Sequence, residues 1–299
     1  MFKTLEYDKV LEQLVSYTAF APSAALSRAL IPSTNLEVVR RTLAQTSEAR
    51  LLLESQPNTS IGGARDIRAA IEGASRGIVL TAGELLDIKG TLISARTLDR
   101  QLENEKETYP LLAEEGMSFP GPLGLVDKIT KTISDRGEIL DSASPKLGKL
   151  RSETRVSHDR LLTRMQKLIR SKDITTHLQE SLVTQRDGRY VIPIRAESKG
   201  RVKSVVHDVS ASGATLFVEP LQVVALNNRW RELQIAEKEE ARRVLAELSD
   251  DIGNHAAELQ AAVETLSALD LIFARAKYAE KLRATVPQIS RIAPDKENK

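Results

Sequence analysis

The sequence predicts a mainly α-helical fold, in which a helical bundle is followed by a long antiparallel helix pair that carries a small antiparallel β module at its tip. Three observations predict this class. Aromatic residues make up only 4% of a chain that is 41% hydrophobic, which is typical of long helices packed through aliphatic side chains. Two long stretches lack internal proline and carry aliphatic residues at three- and four-residue spacing. Between them lie β-branched runs separated by short turn sequences.

The first part of the chain, residues 1–143, reads as a helical core domain built from a series of short amphipathic helices. Asn35 and Thr81 each precede an aliphatic helical pattern, and both are good N-cap residues. Proline and glycine interrupt the pattern between 110 and 124. We find no alternation of strands and helices here, so a parallel sheet is not expected.

The helix pair is predicted from two stretches, 144–182 and 223–285. The first gives one ascending helix of about 35 residues and roughly 50 Å, and the second a descending helix of about 60 residues and roughly 90 Å. Gly253 is a weak point in the second helix because glycine costs about 1 kcal/mol relative to alanine. A dimeric coiled coil is the alternative, but two helices of opposite direction favour an intramolecular pair. Residues 286–299 are predicted to be a linker.

Residues 183–222, here called the β module, have a different pattern. Asp187-Gly188 lies between β-branched residues, which is the strongest short-range signal for a hairpin. A second turn sequence occupies 210–213. The strand-like runs on either side of that turn are 202–209 and 214–218.

The charge of the β module points to phosphate binding. The whole chain has a formal net charge of only +2, so a nucleic-acid surface must be local. Residues 183–208 carry six basic side chains against three acidic ones, a net of +3, and such side chains neutralise phosphates without reading sequence. The alternatives are a solvated edge protected by its charges and, for the two arginines that flank Asp187-Gly188, local salt bridges. The six candidates are Arg186, Arg189, Arg195, Lys199, Arg201 and Lys203.

Several other kinds of site are excluded or disfavoured. The absence of cysteine excludes disulfides, thiolate zinc sites and cysteine nucleophiles. No run reaches the roughly 18 apolar residues of a membrane span. The first eight residues carry acidic side chains where a signal peptide needs an apolar run, so a soluble, cytoplasmic protein is predicted. The histidines are too widely separated to predict a metal site. They are His158, His177, His207 and His255.

Four further positions receive structural interpretations. Phe217 opens a Phe-x-Glu sequence, and its apolar neighbours predict that it is a core residue. His207 is expected to form a hydrogen bond that sets the turn before 210–213. Trp230 lies on the apolar stripe of the second long helix and is expected to pack against the first. The asparagine pair beginning at Asn227 is expected to cap the helix or to bridge it to the β module.

Six runs of the sequence resemble, in matching order, the second bacterial paralogue of MutS, the one not dedicated to mismatch repair. The most specific run is His-Asp-Val-Ser-Ala-Ser-Gly-Ala-Thr, beginning at His207. The six runs are 62–68, 135–144, 182–195, 205–220, 224–228 and 269–276.

The resemblance implies a MutS-like core, two lever helices and a clamp, without the N-terminal domain that reads mismatches. Full-length members of the family carry an ATPase domain and usually a Smr-type endonuclease domain, and they form homodimers. They are linked to the binding of branched DNA, suppression of homologous recombination and rescue of collided ribosomes. Gly148-Lys149 lacks the upstream glycine of a phosphate-binding loop. We therefore expect neither enzymatic activity nor a cofactor in this fragment, and ATP with magnesium only in the missing ATPase domain.

The sequence thus predicts a lever and clamp region that binds branched or duplex DNA through backbone and shape. Two alternatives stay open. The same basic surface can contact ribosomal RNA or protein in a factor that rescues collided ribosomes. The long helices can also form a structural dimerisation arm with no ligand of its own.

Overall fold

A computed structural model describes residues 6–121 and 123–289, so residues 290–299 of the predicted linker lie outside the described residues. Their contacts divide them into two units, one formed by 6–138 with 245–289 and the other by 139–244. The described residues form eleven α-helices and a four-stranded antiparallel sheet. The predicted fold class, mainly helical with a small antiparallel sheet, is confirmed.

The first unit is helical throughout its described elements. Its central helix is α11, whose residues between Leu259 and Ala276 are mostly buried and which packs against α1 to α6. Phe273 of this helix is fully buried in a core built from leucine and isoleucine side chains. The helices are α1 (Tyr7–Val15), α2 (Ala21–Arg28), α3 (Leu36–Ser55), α4 (Arg68–Ser75), α5 (Ala82–Asn104), α6 (Pro110–Gly116), α7 (Leu125–Thr132), the last turns of α10 (Leu221–Asn254) and α11 (Ala256–Leu282).

Two helices in this unit begin at the capping residues that the sequence indicated. The Asn35 side chain accepts hydrogen bonds from the backbone N–H groups of Glu37 and Val38. Thr81 and Glu84 form a reciprocal capping box at the start of α5. Both predicted caps are confirmed.

Asp270 holds the start of α2 against the central helix. Its buried carboxylate accepts hydrogen bonds from the backbone N–H groups of Ala19, at 3.0 Å, and Phe20, at 3.1 Å. Burial raises the pKa of Asp270, although these hydrogen bonds oppose that shift. One carboxylate thus joins residues about 250 positions apart in the chain.

The second unit contains the helix pair and the β module. Its helices are α8 (Pro145–Ile169), the short α9 (Lys172–Thr175) and the first two thirds of α10, residues 221–244. Cross-contacts show that α8 and α10 run antiparallel and pair within one chain, as predicted. Side-chain hydrogen bonds join Ser144 to Glu240 at 2.7 Å, Glu153 to Arg229 at 3.1 Å and Arg164 to Gln222 at 2.6 Å.

The predicted ascending helix over 144–182 is too long. The structure ends α8 at Ile169. After the short α9 the chain becomes extended and pairs with β2 through an isolated bridge between Leu178 and Ile194. Leu178 is buried in the sheet core, so burial and cross-strand hydrogen bonds favour the extended backbone. The sequence pattern could not show this because the partner strand lies further along the chain.

The predicted descending helix over 223–285 is also not continuous. The backbone leaves the helical region at His255 (φ −109°, ψ 24°), which separates α10 from α11. Gly253 lies two residues before this break. A Cβ atom there would lie 2.7 Å from the carbonyl oxygen of Ala74, so glycine allows α10 to approach the backbone of α4.

The sheet has the strand order β1-β2-β4-β3. The predicted hairpin is confirmed, since Asp187 and Gly188 join β1 to β2 and both have positive φ angles, 51° and 74°, as a type I′ turn requires. One face of the sheet packs with α8, and Ile192, Val218 and Met165 are fully buried there. The strands are β1 (Thr184–Arg186), β2 (Arg189–Arg195), β3 (Ser204–Val209) and β4 (Thr215–Pro220).

The connection between β2 and β3 crosses the sheet. Both strands pair antiparallel with β4, so they run parallel to each other. β2 ends where Arg195 pairs with Thr215, whereas β3 begins where Ser204 pairs with Pro220, at the opposite end of β4. Residues 196–203 must therefore travel the length of the sheet, as a connection between parallel strands does.

Candidate nucleic-acid interface

Three of the six predicted basic residues lie on this crossing segment, and a fourth, Arg195, ends β2 directly before it. We call Arg195, Lys199, Arg201 and Lys203 the basic crossover. All four are exposed, and within the described part of the chain none of them forms an ion pair or a side-chain hydrogen bond. Glu197 is the acidic residue of the segment and is also exposed. The basic crossover therefore presents a net of three positive charges to solvent.

Buried anchors hold the basic crossover in place. Ser198 and Val202 are both buried, at 7% exposure, so the segment alternates between inward anchors and outward cations. The Ser198 hydroxyl lies 3.2 Å from Nδ1 of His177, and Val202 belongs to the sheet core. A segment fixed in this way loses less conformational freedom when it binds a ligand than a free loop does.

The other two predicted residues are engaged inside the sheet. The Arg186 guanidinium lies 3.9 Å from the ring centroid of Phe217 and donates to Asp208 at 3.0 Å. Arg189 donates to Glu219 at 3.0 Å and to the side chain of Asn228 at 2.8 Å. Both arginines are only about one third exposed, so much of their hydrogen-bonding capacity is already used.

Glu219 is the centre of a buried polar network. The residue is 1% exposed, and its carboxylate accepts hydrogen bonds from Arg189 and from the Asn227 amide at 2.8 Å, with Nε2 of His207 at 2.7 Å. A buried carboxylate needs such partners because desolvation is costly. These contacts tie three strands to α10.

Asn227 joins the β module to α10, as predicted. It is 1% exposed, and its side-chain oxygen accepts from the backbone N–H of Tyr190 while its nitrogen donates to the Tyr190 carbonyl, both at 3.0 Å. The amide thus pairs with β2 in the way a neighbouring strand would. Asn228 contributes the contact with Arg189.

Three rings connect both long helices to the sheet. His158 on α8, Tyr190 on β2 and Trp230 on α10 have ring centroids 5.2–5.4 Å apart, a spacing favourable for aromatic pairs. Nε2 of His158 lies 2.7 Å from the Tyr190 hydroxyl. The prediction that Trp230 packs against the first helix is confirmed.

Two residue interpretations were wrong. Phe217 is half-buried and is covered by Arg186, because β4 alternates and this side chain points to the face away from the helices. His207 contacts Glu219 across the sheet and does not set the following turn. Ser210 sets that turn, since its hydroxyl accepts from the backbone N–H of Thr215 at 3.0 Å.

Sequence reasoning missed the role of Glu219. An acidic residue between Val218 and Pro220, within an otherwise apolar strand, is the signal that could have marked it as a buried hydrogen-bonding centre. Its partners come from separate elements, so they could not be assigned from spacing.

The described residues contain no group of three His, Asp or Glu side chains that could hold a metal ion. Among their helices, none is long and apolar enough to cross a membrane.

The fold and this surface define a mainly α-helical protein that presents an anchored set of cations on a small antiparallel sheet. No protein-family model matches the chain. It is, however, homologous to a region of the proteins named Endonuclease MutS2, which confirms the resemblance found in its motifs.

Three of these relatives illustrate the match. Identity is 41% over 285 residues with the Endonuclease MutS2 of Pelotomaculum thermopropionicum, covering 95% of this chain and 36% of the relative. It is 40% over 292 residues with that of Thermomicrobium roseum, covering 97% and 37%. It is 38% over 286 residues with that of a Geobacillus species, covering 95% and 36%. The chain thus spans little more than a third of the length of these relatives.

Proposed function

We propose that the chain is the lever and clamp region of a MutS-type protein and binds branched or duplex DNA through its phosphate backbone. The basic crossover is the observation that carries this proposal, because four exposed cations without carboxylate partners attract a polyanion. The relatives named endonuclease support a nucleic-acid ligand. Suppression of recombination would be the role of the whole protein.

Backbone contact to a duplex is favoured over binding of single strands. Single-strand sites stack bases on exposed aromatic rings. In the β module, Tyr190 is packed between His158 and Trp230, and Phe217 is covered by Arg186. Both rings are engaged by neighbouring side chains, so the surface supplies charge and shape more readily than a base-stacking platform.

We further propose that the whole protein acts as a homodimer whose ATPase domain, with ATP and magnesium, controls the placement of this region. The endonuclease activity after which the relatives are named would then belong to parts of the protein beyond the matched region. A basic surface on a small sheet suits this division because it grips the backbone without chemistry of its own.

Fluorescence anisotropy tests the DNA proposal. The chain is titrated against labelled duplex, four-way-junction and single-stranded DNA and against structured RNA, at several salt concentrations. The variant Lys199→Glu, Arg201→Glu, Lys203→Glu is compared with Arg96→Glu, Arg100→Glu, Lys131→Glu, which reverses three exposed charges in the first unit. We expect salt-sensitive binding to duplex or junction DNA, with loss of affinity only in the first variant.

The other outcomes separate the alternatives. Preference for structured RNA, together with association with isolated ribosomes, would favour a ribosome-binding region. A concentration-dependent dimer that binds no nucleic acid would favour a structural dimerisation arm. Equal loss of affinity in both triple variants would contradict binding at the basic crossover.

A further inference from the structure

Helix α8 is the most basic element of the second unit. Its 25 residues contain seven lysines and arginines against two acidic residues, a net of +5. The stretch 183–208 that contains the basic crossover has a net of +3, and the whole chain only +2. The charge of α8 is therefore an excess concentrated in one helix.

The cations at the C-terminal end of α8 share one face. Arg160, Arg164 and Lys167 follow one another at intervals of four and three residues, so they lie on the same side of the helix. All three are exposed. Leu161 and Met165, each one position after a cation, lie on a different side of the helix and are fully buried in the sheet core.

These three side chains differ in their partners from the cations near the N-terminal end of α8. Arg155 lies between the two groups and also forms no ion pair with a described residue. Near the N-terminal end, Lys146 pairs with Glu240, Lys149 with Glu153 and Arg151 with Asp141 and Glu237. Arg160, Arg164 and Lys167 form no ion pair with any described residue, and Arg164 donates only to the neutral Gln222 amide, at 2.6 Å. Salt bridges within the protein therefore do not account for their presence.

The three cations line an open groove. With them lie Val156, Asp159 and Thr163 of α8 and Leu226 of α10, around a volume of about 500 Å³. The floor is partly apolar, and the Thr163 hydroxyl adds a hydrogen-bond donor to the three cations. Asp159 is the acidic residue at this site, so its net charge is +2.

We infer that this face of α8 is a second phosphate-binding surface, distinct from the basic crossover, and that it contacts one strand of a nucleic-acid duplex. The inference rests on the proposed binding of duplex DNA. Arg160 and Lys167 are separated by about 10.5 Å of helix rise. Phosphates of one DNA strand follow at about 3.4 Å along the duplex axis. A helix lying along that axis would therefore span about three phosphate steps, so each of the three cations can face a phosphate of the same strand.

The test uses the full chain and a labelled 30-base-pair duplex. The α8 variant is Arg160→Ala, Arg164→Ala, Lys167→Ala, with alanine chosen because it preserves helix propensity. Its matched control is Arg96→Ala, Arg100→Ala, Lys131→Ala, and thermal melts confirm that each variant folds. The dissociation constant is measured across a range of salt concentrations for both variants and for the crossover variant Lys199→Ala, Arg201→Ala, Lys203→Ala.

We expect the α8 variant to reduce the slope of log affinity against log salt by about 2.7, since each phosphate contact contributes about 0.9. An unchanged slope in this variant, with a loss in the crossover variant, overturns the second surface and leaves the proposed function intact. A reduced slope in the α8 variant alone supports the second surface and overturns binding at the basic crossover. Failure of the wild-type chain to bind the duplex overturns both the second surface and the basic crossover. Binding of competing poly-glutamate as tightly as the duplex also overturns both.

Discussion

At the scale of residues, the molecule uses its charged side chains in two distinct ways. Glu219 and Glu240 are buried and fully partnered, and they fix the geometry of the second unit. The cations of the basic crossover are exposed and have no carboxylate partners among the described residues. This separation means that structural and binding roles can be tested with different substitutions.

Replacing Asn227 with alanine should destabilise the protein. Asn227→Ala leaves the backbone groups of Tyr190 and the carboxylate of Glu219 short of partners, and buried polar groups without partners cost roughly 1–3 kcal/mol. The free energy of unfolding, measured by urea denaturation, should fall by that amount. Asn228→Ala is the matched control, since Asn228 is exposed and makes one contact with Arg189. Equal losses in the two variants would contradict the bridging role of Asn227.

Glu240 should make stability depend on acid pH. Hydrogen bonds from Arg243, Ser144 and Lys146 lower the pKa of Glu240 from 4.5 to about 2. Because the folded pKa is depressed, its stabilising contribution is present above pH 4.5 and is lost as the pH falls towards about 2. Urea denaturation of wild type and Glu240→Gln should therefore show a difference at pH 7 that shrinks between pH 4.5 and 2. A difference independent of pH would exclude the carboxylate as its source.

At the scale of elements, the sequence correctly predicted the features that depend on residues close together in the chain. The caps at Asn35 and Thr81 and the turn at Asp187-Gly188 are local features, and all three are present. The end of α8 and the crossing between β2 and β3 depend on strands that lie further along the chain. No local pattern encodes the identity of such a partner, so these features were missed or misplaced.

The candidate site shows the same division. The basic residues could be identified because charge is visible in the sequence. The sequence could not show which of them lack ion-pair partners, since the partners of Arg186 and Arg189 come from β3, β4 and α10. Phe217 was misinterpreted because its apolar neighbours do not show which face of β4 meets the helices.

Two glycines in helices should respond to alanine in opposite directions. In Gly253→Ala, the new Cβ would lie 2.7 Å from the Ala74 carbonyl oxygen, and such overpacking typically costs about 1–3 kcal/mol. At Gly90, inside α5, a Cβ meets no atom within 4 Å, so Gly90→Ala should stabilise by roughly 0.5–1 kcal/mol. Thermal and urea denaturation would measure both. Stabilisation by Gly253→Ala would show that α10 does not depend on this close approach.

At the scale of the whole molecule, the near-neutral total charge hides an uneven distribution. A net charge of +2 over 299 residues coexists with +5 on α8 alone. Local fields of this kind steer polyanions to one surface while the rest of the protein stays mixed in charge. The function proposed for this region therefore depends on where the charges lie and not on their sum.

Site-specific photo-crosslinking tests the central claim, binding of DNA backbone at the basic crossover, most directly. The chain has no cysteine, so Arg201→Cys and the control Arg96→Cys can each carry a single azidophenacyl group. The two labelled chains are irradiated with a radiolabelled duplex at increasing salt. We predict crosslinks from position 201 that decline as salt rises, and only background from position 96. Equal yields at both positions, or none at position 201, would contradict the claim.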